Sequence, residues 1–239
     1  MRKILLNACS KDGSYSLRNG IYLRNGFSIP DPAVLLSDGP ILKNSRSVVS
    51  GLDSKGLYFI KQYKKNGLWR TLKRILQFPR AYRCLAAAIR LEETGIETPK
   101  VLLASRFYLV TEALSFQTVF LTNAPEDTFD FIPAMARMHQ AGLSHGDLNL
   151  RNIYRHSDKF GLIDLDSARI FVRGLPERER IRELARLISS YLKQTGLRTE
   201  NARAVIEKSA ELYQKETGFN PYGSFLIARV KYLAERRKS

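Results

Sequence analysis

Two carboxylates and a carboxamide stand close together in His145-Gly146-Asp147-Leu148-Asn149-Leu150-Arg151-Asn152-Ile153 and, after a short turn, in Leu162-Ile163-Asp164-Leu165-Asp166. The spacing is H-x-D-x-x-x-x-N, followed by an apolar run that reads as a strand and ends in aspartate. Such side chains present oxygen atoms, the ligands that a hard divalent cation prefers. Taken singly, each residue would be an ordinary polar turn or a solvated strand end. The weight lies in the whole pattern, set after a helix and around a hairpin. A second feature is Lys61, a cation inside the β-rich apolar run Leu57-Tyr58-Phe59-Ile60-Lys61-Gln62-Tyr63.

The elements that must position these groups fall into two kinds. The first third reads as strands at 14–17 and 21–23 broken by Asn19-Gly20 and Asn25-Gly26, then a Pro- and Asp-bearing stretch through Pro32. A further strand pair is expected at 47–49 and 57–63, with Gly51, Asp53 and Gly56 between them. Apolar residues at helical spacing over 80–94 stop at Gly95, and strands resume at 101–103 and 107–111. The remainder reads as helices at 129–140, 176–194 and 199–216, each followed by glycine, with a basic helix from about 225. A β-rich front and a helical back predict an α+β chain with a β-rich part over 1–115 and a helical part over 116–239.

Composition bounds the rest. At 239 residues, 44% hydrophobic and 26% charged, the chain is long enough for a substantial core and unlike disordered, collagenous or coiled-coil sequences. No apolar run approaches the roughly 20 residues needed to cross a bilayer, and Met1-Arg2-Lys3-Ile4-Leu5-Leu6 stops too early for a secretory signal. Cys9 and Cys84 are too few for a disulfide framework or a cysteine-rich metal site, which suits a reducing cytoplasm. The formal net charge of +16 fits nucleic acid, an anionic membrane surface or an anionic small substrate, since all three answer the same field.

The segment from His145 to Asp166 resembles the catalytic and metal-binding loops of the protein-kinase-like fold. The resemblance implies a two-lobed α+β architecture with a β-rich N-lobe and a shortened, mainly helical C-lobe. It gives Asp147 the task of orienting an acceptor hydroxyl and accepting its proton. It gives Asn152 and Asp164 the holding of Mg²⁺ among the phosphates of ATP, and it makes His145 a hydrogen-bonding support. Asp166 reads either as a supporting carboxylate or as a helix-capping acid. Lys61 corresponds to the strand lysine that neutralises nucleotide phosphates. Two departures stand out. Such kinases pair that lysine with a helix glutamate, yet no acid occurs between Asp53 and Glu92, and Cys84 falls at the corresponding place. In place of a glycine-rich loop stands Lys43-Asn44-Ser45-Arg46-Ser47, where Ser45 and Ser47 would have to permit the close approach to phosphate.

Further residues narrow the resemblance to the lipopolysaccharide core sugar kinases, which phosphorylate Kdo or heptose. These are Lys61-Gln62-Tyr63-Lys64-Lys65-Asn66-Gly67-Leu68-Trp69, Gly95-Ile96-Glu97-Thr98-Pro99 and the spelling His145-Gly146-Asp147-Leu148-Asn149, within a similarity covering about 40–195. A protein kinase is disfavoured by Gly146 in place of Arg, by Asn149 in place of Lys, and by the lack of an Ala-Pro-Glu element after Asp164. The acid-free stretch with Lys64, Lys65, Arg70, Lys73, Arg74, Arg80 and Arg83 would suit lipid A phosphates or Kdo carboxylates, or else forms a solvated basic face. The C-terminal Arg229, Lys231, Arg236, Arg237 and Lys238 would attract an anionic inner leaflet at about 1 kcal/mol per well-placed residue, implying peripheral contact. The expected acceptor is therefore a lipid A-core precursor, met at the cytoplasmic face. Aminoglycoside or choline-like kinases also spell the loop His-Gly-Asp, but cationic substrates favour an acidic site. A pseudokinase module at the membrane surface is the reading that the missing helix glutamate motivates. Nucleic-acid binding is not expected, because no zinc-finger spacing or reader motif is present.

Overall fold

The computed structural model describes residues 1–10, 13–64, 78–115, 117–197 and 202–235. Lys65, Trp69, Arg70, Lys73, Arg74, Arg236, Arg237 and Lys238 lie outside the described residues, as does the expected helix start at 199. The chain divides into two compact units, Met1–Ile89 with Pro99–Phe116, and Arg90–Thr98 with Gln117–Ser239.

The first unit is built on a seven-stranded antiparallel sheet. Its strands are β1 (Tyr15–Arg18), β2 (Ile21–Arg24), β3 (Ile41–Asn44), β4 (Val48–Leu52), β5 (Tyr58–Tyr63), β6 (Val101–Ala104) and β7 (Tyr108–Glu112), in the order β1-β2-β6-β7-β5-β4-β3. Asn19 and Gly20 both take positive φ, at 50° and 75°, and join paired Arg18 and Ile21, which is the two-residue turn that Asn-Gly favours. Lys61 sits mid-strand between Ser50 of β4 and Leu109 of β7.

Alternation along β5 sends Ile60 to one face of the sheet and Phe59, Lys61 and Tyr63 to the other. On the first face Ile60, Leu103 and Val110 pack with Leu35 and Leu36 of helix α2 (Pro32–Ser37). That helix starts where Asp31 accepts a hydrogen bond from the Ala33 amide at 2.8 Å and Pro32 opens the first turn. Near the other face, Cys84 of helix α3 (Arg80–Glu92) lies 3.8 Å from the Tyr63 hydroxyl and is buried. Helix α1 (Arg2–Ser10) precedes the sheet and buries Leu5 and Ala8. The sequence pattern had suggested neither α1, α2 nor β3.

The second unit is mainly helical. It contains α4 (Thr128–Gln140), α5 (Glu177–Thr195), α6 (Ala202–Thr217) and α7 (Ser224–Glu235), with α5 packed on α7 and α4 on α6. Its core holds Phe131, Ile132, Met135 and Met138 of α4 with Leu184, Leu187 and Ile188 of α5. Helix α5 ends as expected at Gly196, whose φ of 69° supplies the left-handed cap. Two small sheets support the loops between helices. One runs β11 (Lys159–Leu162), β10 (Ile153–His156) and β8 (Val119–Phe120); the other pairs β9 (Leu143–Ser144) with β12 (Arg169–Ile170).

The Gly95-Ile96-Glu97 turn lies along β11, with the Glu97 amide donating to Phe160 at 2.9 Å and the Leu162 amide donating to Glu97 at 2.8 Å. Gly161 leaves room for the Tyr154 ring opposite it, since a Cβ there would collide with that ring. Both contacts fix the strand that leads into Asp164. The expected α+β class is the observed one. Among the described residues no helix is long and apolar enough to cross a membrane.

Candidate active site

Strand β9 delivers the chain into His145, whose buried imidazole uses both nitrogens on backbone. Nε2 lies 2.8 Å from the Ile163 carbonyl, and Nδ1 lies 3.3 Å from the Asp147 amide. A carbonyl only accepts and an amide only donates, so this network assigns the proton to Nε2 and makes Nδ1 an acceptor. His145 thus ties this loop to the end of β11.

The loop's turn is closed on Asp147. Its carbonyl accepts from Asn149 Nδ2 and from Asn152 Nδ2, each at 2.9 Å. Asn149 Oδ1 accepts from the Arg151 amide at 3.1 Å and caps the single helical turn Leu150–Asn152. The Asn152 carbonyl in turn accepts from the Ile163 amide at 3.0 Å. Ile163 is therefore held on both sides, its amide by Asn152 and its carbonyl by His145. Asp164 follows at once with φ 59° and ψ 53°, a left-handed conformation that costs a residue with a Cβ about 1–2 kcal/mol. The backbone hydrogen bonds thus bring Asp147, Asn152 and Asp164 into one knot of chain. Asn152 is buried with its nitrogen occupied, which leaves Oδ1 for a cation, while Asp147 and Asp164 are exposed.

Glu183 of α5 was missed in the sequence, although it anchors the loop. Almost fully buried, it accepts from His139 Nε2 at 3.1 Å, from the His145 amide at 3.0 Å, and from the Gly146 amide. Burial alone would raise its pKa. The hydrogen bond from His139, the electrostatic influence of the His139 and His145 rings, and the Gly146 amide outweigh burial and hold the carboxyl at about 2. His139 Nδ1 bonds the Tyr213 hydroxyl at 2.9 Å, extending the network to α6. Burial pushes the Tyr213 hydroxyl above the ordinary phenol range. Arg186, one turn along α5, donates to the Gly146 carbonyl. The only sequence signal for this anchor was an acid on the apolar face of an amphipathic helix.

Gly146 is required by geometry as well. Its φ is 83°, and an added Cβ would strike the Ser167 carbonyl. The arginine usual in protein kinases at this place is excluded by backbone conformation, which gives a physical reason for the His-Gly-Asp spelling.

Beside the loop opens a cleft of about 440 Å³, walled by Asp147, Asn149, Arg151 and Asn152 of the loop and by Ser190 and Lys193 of α5. Thr122 and Gln194 complete it, tied by a 2.7 Å hydrogen bond from the Gln194 amide nitrogen to the Thr122 carbonyl.

The remaining expected residues belong to the first unit. Lys61 is half-buried on β5. Ser45 stands in the β3–β4 turn, where its hydroxyl accepts from the Val48 amide at 3.1 Å and donates to the Val48 carbonyl at 2.9 Å. The turn is further tied by Lys64 Nζ, 2.7 Å from Asn44 Oδ1 and 3.0 Å from the Ser45 carbonyl. Ser47 accepts from the Lys64 amide through its carbonyl at 3.0 Å. Cys84 lies against the Tyr63 hydroxyl, and Glu93 pairs with Arg90.

Against known proteins, residues 132–208 match the model of the lipopolysaccharide kinase (Kdo/WaaP) family. The loop described above lies within the matched residues. A 3-deoxy-D-manno-octulosonic acid kinase of Xanthomonas campestris pv. campestris (strain B100) is 42% identical over 130 residues, 54% of this chain and 48% of that protein. The corresponding protein of strain 8004 matches to the same extent. The chain spans about half the length of these curated relatives. Among solved structures, WaaP in complex with acyl carrier protein superposes with a TM-score of 0.58 at 20% identity, covering 92% of this chain and all of that one. Amicoumacin kinase hAmiN in complex with AMP-PNP, Ca²⁺ and Ami gives 0.54 at 14% identity, covering 84% and 80%. These likenesses show the protein-kinase-like fold expected from the sequence.

Proposed function

We propose that the protein is an ATP-dependent kinase that transfers the γ-phosphate to a sugar hydroxyl, of Kdo or a heptose, on the lipopolysaccharide inner core. The observation that carries this reading is the backbone knot that fixes Asp147, Asn152 and Asp164, within a segment matching the Kdo/WaaP family. In this reading the N-lobe spans about 1–115 and the C-lobe 116–239, with Arg90–Thr98 belonging to the second compact unit.

Asp147, exposed at the cleft, holds the acceptor hydroxyl and takes its proton as the oxygen attacks the γ-phosphorus and ADP leaves. A cation would be held by oxygens, those of the Asn152 amide and the Asp164 carboxylate, and this set fits Mg²⁺ shared with nucleotide phosphates and water. When bound, Mg²⁺ would neutralise charge on the transferring phosphoryl group. Lys61 serves the nucleotide phosphates, with Ser45 and Ser47 in the turn of the β3–β4 hairpin. The basic balance suits an anionic glycolipid and peripheral contact with an anionic inner leaflet.

The test is transfer of labelled phosphate from ATP with Mg²⁺ to Kdo- or heptose-bearing lipid A, with cationic aminoglycosides as control acceptors. Wild type labels the core sugar, and Asp147→Ala does not while keeping its unfolding temperature. Equal labelling by that variant refutes the role given to Asp147, and preference for the aminoglycosides refutes the acceptor class.

A further inference from the structure

The cleft beside Asp147 has an uneven charge that the catalytic reading does not use. Its lining holds one carboxylate, Asp147, and two cations, Arg151 and Lys193. The cations come from separate elements. Arg151 lies in the loop, four residues beyond Asp147, and Lys193 lies in the last turn of α5. The walls are tied together, because the Leu150 amide donates to Ser190 Oγ at 3.1 Å and Gln194 is bonded to Thr122. The volume of about 440 Å³ is that of a small-molecule site, within the usual range of about 300–1,000 Å³.

A cationic acceptor would meet two like charges there, whereas a neutral sugar would gain nothing from their charge. An anionic acceptor meets a guanidinium, able to grip a carboxylate through two parallel N–H groups, and an ammonium, able to donate to a further oxygen. Both charges also lie in the cleft that holds the proton-accepting carboxylate. One bound molecule can therefore present its negative group to the cations and a hydroxyl to Asp147.

We propose that Arg151 and Lys193 form an anion subsite of the acceptor site, which selects sugars bearing a carboxylate or phosphate and sets the hydroxyl at Asp147. This rests on the kinase reading above and adds the residues that choose the acceptor. Lys193 also stands at a helix C-terminus, where a cation is favoured by the helix dipole whatever its other role. The test must therefore separate recognition from helix stability.

The experiment compares wild type with Arg151→Gln, Lys193→Gln and Lys193→Arg on three acceptors: Kdo-lipid A, the same molecule with its carboxylates methyl-esterified, and the same molecule with its lipid A phosphates removed. Each Gln variant is expected to raise KM for the intact acceptor on the order of tenfold, the cost of one charge-assisted hydrogen bond at an exposed site. KM for ATP should stay unchanged, Lys193→Arg should restore the acceptor KM, and the effect should shrink as salt rises. If the carboxylate is the group recognised, wild type loses affinity for the ester and the Gln variants lose no more. If a phosphate is recognised, the dephosphorylated acceptor shows this pattern instead. A wild type that phosphorylates all three acceptors equally, with Gln variants of unchanged KM, overturns the subsite and leaves the kinase reading standing. A wild type that phosphorylates no core sugar overturns both.

Discussion

Replacing Glu183 by Gln tests whether the loop bearing Asp147 is held by a charged anchor. The carboxylate accepts from His139 Nε2 and from the amides of His145 and Gly146. A carboxamide of equal size keeps one acceptor oxygen and turns an NH₂ donor towards groups that themselves donate. At least one buried donor then loses its partner, at about 1–3 kcal/mol. A second route gives a similar figure. The carboxyl is held at about 2 against an ordinary value of 4.5, and this difference corresponds to about 3 kcal/mol. Because the folded value is depressed, the contribution is complete above the unfolded value and is lost as pH falls towards the folded one. Denaturant unfolding of wild type and Glu183→Gln should therefore differ by about 3 kcal/mol at pH 7. The gap should close as pH is lowered from 4.5 towards 2. Phosphotransfer should fall as well, since Asp147 follows the two anchored amides. Equal stability at pH 7, or a gap that stays constant to the acid end, would refute the anchoring argument.

Three other outcomes are expected. Gly146→Ala forces a Cβ onto a residue with φ of 83° and into the Ser167 carbonyl, so unfolding temperature and activity should both fall, and retention of both counts against the backbone argument. Asp164→Asn keeps the left-handed turn, which asparagine tolerates, but removes the carboxylate; circular dichroism should be unchanged while the Mg²⁺ concentration for half-maximal transfer rises on the order of tenfold. An unshifted Mg²⁺ titration would remove Asp164 from cation binding. Cys84→Ala empties a buried site beside Tyr63 and should cost about 1 kcal/mol of stability with kcat kept within about twofold. Loss of turnover in a folded Cys84→Ala protein would show that the thiol serves the reaction.

What could be read in advance follows from how each feature is encoded. The catalytic loop is legible because its residue types and spacing are contiguous. The Asn19-Gly20 hairpin and the Gly196 cap are legible because positive φ selects those residues. Helix α2 escaped although Asp31-Pro32 is a helix-start signal, since six residues are too few to show a period. Helix α1 escaped because a short apolar run after Arg2-Lys3 was weighed as a leader rather than as an element. Glu183 escaped for a different reason. Its partners lie 37 to 44 residues away, and no local pattern marks an acid in an apolar helix face as the acceptor for a distant loop.

The departures from the protein-kinase pattern have a common physical sense at the catalytic loop. Where those enzymes place an arginine side chain, this chain has a glycine held through both its amide and its carbonyl. Glu183 takes the Gly146 amide hydrogen, and Arg186 donates to the Gly146 carbonyl, both from α5. A side chain that awaits a phosphate leaves a loop conditional on a modification. Two backbone contacts to a helix of the same unit leave it conditional only on that helix being folded. His145 adds a third tie by donating to the Ile163 carbonyl, so the peptide before Asp164 is fixed by the same loop that carries Asp147. The proposed proton acceptor and cation ligands are thereby set by the packing of one unit, and substrate is the remaining variable.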